Sequence, residues 1–158
     1  MATRSAIGYK TPEGKIRAIY CHYDGYVAGV GHTLETEYQE ARKIAQLVEL
    51  GDASTLAPKL FGTASHSFDT PDGDVTVFYG RDRGEEGVEA QEFDTVGDFV
   101  DYYAGAGCEY FYLRANGDWI YHDRYQVGKD ALGNPVFDFL APKVAAEVER
   151  LKKMGYDI

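Results

Sequence analysis

The dipeptide Asn116-Gly117 stands between two runs that alternate apolar and polar residues, Glu109 to Arg114 and Trp119 to Asp123. Asn-Gly supplies the two positive-φ residues of a type I′ turn, so it commits this stretch to a β-hairpin. A second pair of apolar and aromatic runs, Ser5 to Lys10 and Lys15 to Tyr23, is joined by the turn residues Thr11-Pro12-Glu13-Gly14 and predicts an opening hairpin. Strands that arrive as hairpins rather than as alternating βα units predict a mostly antiparallel sheet.

Helical periodicity fills the intervals. From Leu34 the positions Tyr38, Ala41, Ile44, Ala45, Leu47 and Val48 share one face, with Thr33 as N-cap and Gly51 as stop. Asp52 to Asp74 reads as a long irregular connection, Val75 to Tyr79 as a strand, and Gly80 to Gly87 as a charged, glycine-punctuated loop. Thr95-Val96-Gly97-Asp98 is a variant capping box before a helix that carries Val96, Phe99, Val100 and Tyr103 and ends near Gly105. Pro142 opens a last helix with Val144, Ala145, Val148 and Leu151 on its face. The expectation is a single α+β domain over residues 1–158. It has about five strands, three helices on one face, the order ββαβαββα, and the other sheet face left for ligands.

The formal charge of −10 argues against duplex nucleic acid, whose binding is driven by Lys and Arg releasing counterions. It is compatible with a basic protein partner, and the run Glu85, Glu86, Glu89, Glu92 and Asp94 is the stretch best suited to imitating a nucleic acid. No apolar run approaches 18 residues and the start lacks an apolar leader, so no membrane is expected and the cytoplasm of a bacterial host is. Cys21 and Cys108 lack metal-finger spacing and read as reduced core residues. Oligomeric state is left open.

Two clusters carry the candidate chemistry. Tyr20, His22, Asp24 and Tyr26 sit where the second strand breaks into a loop running through Gly29 and Gly31 to a helix start. Free N–H groups at a helix N-terminus favour an anion, and aromatic rings offer stacking surfaces for a base. The competing reading is a core strand with a tight turn in which His22 and Asp24 pair to hold the loop. Arg81 and Arg83 follow a strand end, where two guanidiniums can clamp a phosphate or be spent on Asp82, Glu85 and Glu86. His22, Asp24, His122 and Asp123 form a metal set only if the hairpins bring them together, and no ligand-pair spacing supports it. Cys21 and His22 are strand neighbours on opposite faces and make a poor nucleophile dyad. The tyrosines of the second hairpin are explained by cross-strand packing. No catalytic residue, metal or cofactor is assigned.

The string Tyr20-Cys21-His22-Tyr23-Asp24-Gly25-Tyr26 resembles the YCHWDGY motif of an uncharacterised family of small tailed-phage accessory proteins. Arg4-Ser5, Leu50-Gly51-Asp52 and Phe78-Tyr79-Gly80-Arg81-Asp82-Arg83-Gly84-Glu85 match its other elements. Tyr23 replaces the tryptophan and keeps an aromatic ring. The resemblance implies a phage protein acting against host defence or host enzymes, and it carries over no catalytic role. The function expected is a non-enzymatic binder that sequesters a small anionic, nucleotide-type ligand through Tyr20, His22, Asp24, Tyr26, Arg81 and Arg83. The alternatives are an acidic protein–protein inhibitor that mimics nucleic acid, and a small hydrolase using His22 with Asp24.

Overall fold

A computed structural model describes residues 2–125 and 133–157. The chain runs β1 (Ser5–Lys10), β2 (Ile16–Cys21), a π-helical turn (Val27–Gly31), α1 (His32–Glu37), α2 (Ala41–Glu49), β3 (Ala53–Thr55), β4 (Val77–Phe78), α3 (Tyr79–Arg83), β5 (Gln91–Phe93), α4 (Val96–Gly105), β6 (Tyr110–Ala115), β7 (Asp118–Asp123), β8 (Asp138–Phe139) and α5 (Leu140–Lys153). One mixed sheet of eight strands is present among the described residues, in the order β4-β3-β2-β1-β6-β7-β8, with β5 also paired to β2.

Both expected hairpins form. β6 and β7 pair in register from Tyr110 opposite Asp123 to Ala115 opposite Asp118, and Asn116 and Gly117 take φ of 54° and 81°, as a type I′ turn demands. β1 pairs antiparallel with β2. The sheet is mostly antiparallel; its parallel pairs are β1 with β6, joining the two hairpins at the centre, and β2 with β3.

The expected five strands and three helices on one face are corrected, among the described residues, to eight strands and five α-helices that cover both faces. Alternation along the central strands explains this, because neither side is polar. Ile7, Ile19, Tyr112 and Trp119 point to one side and pack with Leu34, Ile44, Leu47, Leu140 and Val144 from α1, α2 and α5. Ala6, Ala18, Phe111 and Leu113 point to the other and pack with Phe99, Val100 and Tyr103 from α4. No face is left bare over the sheet centre.

Two further corrections have local causes. The helix expected from Thr33 to Gly51 is broken at Tyr38, which leaves the helical region at φ −122° and ψ 71°. Tertiary bonds hold it there: the buried Tyr38 hydroxyl donates to the Ala57 carbonyl at 2.6 Å, and the Tyr38 carbonyl accepts from Trp119 Nε1 at 2.8 Å. The Gly80 to Gly87 loop begins instead as α3, because the Asp82 carboxylate accepts from the Phe78 N–H at 2.8 Å and closes a first turn. Thr95 caps α4 as expected, its hydroxyl accepting from the Asp98 N–H at 3.1 Å.

Candidate functional site

The six residues expected to line one recess are divided among separate surroundings. Tyr20 and His22 stay together on the α4 side, the Tyr20 hydroxyl lying 2.7 Å from His22 Nδ1. Burial pushes the Tyr20 hydroxyl up to about 12, and burial followed by the Arg4 charge lowers His22. Asp24 is not His22's partner. It turns the chain at φ 58° and accepts from the Tyr26 hydroxyl at 3.4 Å.

The glycine-rich turn is satisfied internally. Gly29 and Val30 N–H groups donate to the Tyr26 and Asp24 carbonyls, and the Gly25 N–H donates to Thr3. The N–H groups of Gly25, Gly29 and Val30 are thus not offered to an anion. The Tyr26 ring instead enters a recess of about 310 Å³ shared with Tyr110, Tyr121, Lys143 and Arg150. Both cations there pair with Glu147, at 3.5 and 3.0 Å, and Asp123 also lines the wall, so this recess is charge-balanced.

The arginines are likewise committed. Arg81 Nε donates to Asp82 Oδ1 at 2.9 Å, Nη2 donates to the Thr76 carbonyl at 3.0 Å, and Nη1 donates to the Leu60 carbonyl. Its guanidinium lies 4.8 Å from the Phe78 ring centroid and 5.6 Å from that of Phe61. Arg83 pairs with Glu85 at 2.6 Å and lies over Phe68 and Tyr79. Burial raises the Tyr79 pKa first, a hydrogen bond with Ser54 opposes the rise, and Tyr23 and Cys21 add to it.

Arg81 has a second consequence. By gripping Leu60 it fixes the segment that displays Phe61, which is 61% exposed. Across from Phe61, α2 presents Arg42, Lys43 and Gln46, and the space between is a groove of about 400 Å³ lined also by Glu40, Pro58 and Lys59. Lys43 ties its two sides, donating at 2.7 Å to the carbonyls of Glu37 and Pro58 and sitting 4.3 Å from the Tyr38 ring centroid. Lys59 pairs with Asp74 at 3.1 Å, both side chains being more than half exposed, a pairing worth little in water. Arg42 has no hydrogen-bond or ion-pair partner among the described residues. Three cations against one carboxylate make this groove positive in a chain of net charge −10. Sequence reading misses it because Arg42, Lys59 and Phe61 are unremarkable singly and meet only when the connection folds against α2.

A further recess, of about 240 Å³, lies on the α4 side and is lined by Tyr20, Asp52, Gly87, Gln91, Tyr102, Tyr103 and Ala106. Asp52 is the carboxylate that lines it. Burial raises its carboxyl from an ordinary 3.8 to about 6, with Glu85 and Glu89 adding to the rise against the hydrogen bond from the Tyr20 N–H.

The acidic run is partly answered by cations: Glu85 pairs with Arg83, Glu92 with Arg17 and Asp94 with Lys15. His122 donates through Nδ1 to the Val136 carbonyl, 2.9 Å away, and is buried. Among the described residues no group of three or more His, Cys, Asp or Glu is placed to hold a metal, and no helix is long and apolar enough to cross a membrane. Cys21 and Cys108 are free and buried, and burial pushes both thiols up to about 12. Compared with family models, curated proteins and solved structures, the chain matches none.

Proposed function

We propose that the protein is a non-enzymatic binder of a small anionic, nucleotide-type ligand, and that its site is the groove between α2 and Pro58–Phe61. The observation that carries this reading is the meeting of an exposed Phe61 ring with Arg42, Lys43 and Lys59 in an otherwise acidic chain. A base stacks on Phe61, a contact worth roughly 1–3 kcal/mol. Arg42, whose guanidinium is unspent, meets a phosphate through two parallel N–H donors, and Lys59 adds a point charge once it leaves Asp74. The role that follows, in line with the tailed-phage resemblance, is sequestration of a signalling nucleotide from a host defence system. Arg81 acts as a positioning residue for Phe61, and Tyr20, His22, Asp24 and Tyr26 lie outside this groove.

A thermal-shift screen of cyclic nucleotides, cyclic dinucleotides and ADP-ribose compounds tests the reading. A ligand present at a hundred times its dissociation constant stabilises the fold by roughly 2.7 kcal/mol, which for a domain of this size is a rise of about 5–11 °C. Arg42→Ala with Lys59→Ala is expected to abolish the rise, and Phe61→Ala to weaken binding at least about fivefold. If no compound shifts the melting temperature, or if the double variant responds as the parent does, the groove is not the site.

A further inference from the structure

β2 has a divided edge. Its residues Ile16, Arg17 and Ala18 pair with β5, whereas Cys21 pairs with β3. Between the two, the Tyr20 N–H has no neighbouring strand, and Asp52 Oδ1 accepts it at 2.9 Å instead. A carboxylate is thereby drawn into the plane of the sheet, and the gap it bridges opens as the recess of about 240 Å³ on the α4 side.

Hydrogen-bonding capacity inside the gap is one-sided. The Tyr103 hydroxyl is spent on the Ala18 carbonyl at 3.0 Å, and that of Tyr20 is hydrogen-bonded to His22. Gln91 Nε2 gives one of its two N–H groups to the Glu89 carbonyl at 3.2 Å, and its Oε1 is an acceptor. Asp52 Oδ2 has no partner among the described residues. The polar atoms facing a guest are therefore mainly acceptors, framed by the rings of Tyr20, Tyr102 and Tyr103, and Tyr102 is 53% exposed at the entrance. Glu85 and Glu89 stand close enough to raise Asp52 further. The opposing charge is Arg4, which acts on Tyr20 and His22 and packs against Gly107 rather than lining the recess.

We propose that this recess receives the guanidinium of an arginine side chain presented by a partner protein. A guanidinium is planar, carries five N–H donors and no acceptor, and stacks on aromatic faces, so it matches acceptors set among tyrosine rings. The volume is below the roughly 300–1,000 Å³ usual for whole small molecules and suits one side-chain head. The net charge of −10 steers a basic partner to the chain. The recess and the α2 groove lie on opposite faces of the sheet, so this proposal stands or falls independently of the nucleotide reading.

The test is an NMR titration of the full chain with acetyl-Gly-Arg-Gly-amide, its citrulline counterpart and methylguanidinium, followed at the Gln91 and Tyr102 amides. The arginine peptide is expected to move both signals, and citrulline, isosteric but uncharged, to bind at least about tenfold more weakly. Asp52→Asn keeps an acceptor for the Tyr20 N–H and is expected to cost about tenfold in affinity, while Tyr102→Ala, at an exposed position, gives an independent loss that does not depend on the sheet. Unmoved signals at millimolar peptide, equal binding of citrulline, or an unaltered affinity in both variants overturns the proposal. Methylguanidinium binding as tightly as the peptide assigns the recess to a free small cation and overturns the partner.

Discussion

Replacing Asp52 by Asn is expected to stabilise the protein at neutral pH. The substitution preserves the shape and the acceptor for the Tyr20 N–H but removes a charge whose pKa is raised by burial to about 6 from 3.8. A carboxyl raised in the folded state holds its proton longer there than in the unfolded chain. Its contribution to stability is thus greatest at low pH and declines as pH climbs from 3.8 to about 6, remaining low above that. The full shift corresponds to about 3 kcal/mol, and because the group is only half-buried, solvent screening reduces the expected gain to about 1–2 kcal/mol at pH 7.5. By pH 4 the gain should shrink to about a fifth of that. Urea unfolding of parent and variant at pH 7.5 and pH 4, compared at equal m-values, reads the difference directly. A variant that is less stable at pH 7.5, or whose advantage is the same at both pH values, refutes the claim that a buried charge resides in the β2 gap.

Thr95→Ala removes the α4 cap and is expected to lower unfolding free energy by about 1 kcal/mol in the same assay. Equal stability would mean the cap is replaced by solvent. Arg81→Lys keeps the charge but loses the planar fork and its packing over the Phe61 and Phe78 rings; a loss of about 1–3 kcal/mol and faster limited proteolysis between residues 60 and 76 are expected. Proteolysis at the parental rate would remove Arg81 as the brace of the groove.

The parts of the fold that could be read from the sequence are those whose cause is local. Asn116-Gly117 dictates its turn through φ alone, and Thr95 with Asp98 dictates a helix start through one hydrogen bond. What escapes is set by groups distant in the chain. Nothing near Tyr38 announces a helix break, because the bonds that hold it come from Ala57 and Trp119. β3, β5 and β8 are two or three residues long and carry no period; they exist by pairing with edges already formed. The candidate site suffers in the same way. Tyr20, His22, Arg81 and Arg83 are conspicuous as residue types, yet their hydrogen-bonding groups are largely consumed inside the protein, while Arg42 and Asp52 are conspicuous only in space.

Three of the four strings that carry the phage resemblance acquire physical reasons once folded. In Leu50-Gly51-Asp52, Gly51 takes φ 92°, and a Cβ there would lie 2.5 Å from the Val88 carbonyl oxygen; that same carbonyl accepts the Asp52 N–H at 2.8 Å. Only glycine lets the end of α2 approach the 87–91 segment closely enough to deliver Asp52 to the Tyr20 N–H. In Phe78 to Glu85, Asp82 caps α3 and orients Arg81, which braces Phe61. In Tyr20 to Tyr26, Tyr20 walls the Asp52 recess and a Gly25 Cβ would lie 2.7 Å from the Thr3 carbonyl oxygen. Each string therefore contributes scaffolding to one side of the β2–β3–β4 edge. The α2 side of that edge ends in a cationic groove and the α4 side in an acceptor-rich recess. One edge, built from pieces remote in sequence, can in this way offer sites of opposite polarity to two different guests.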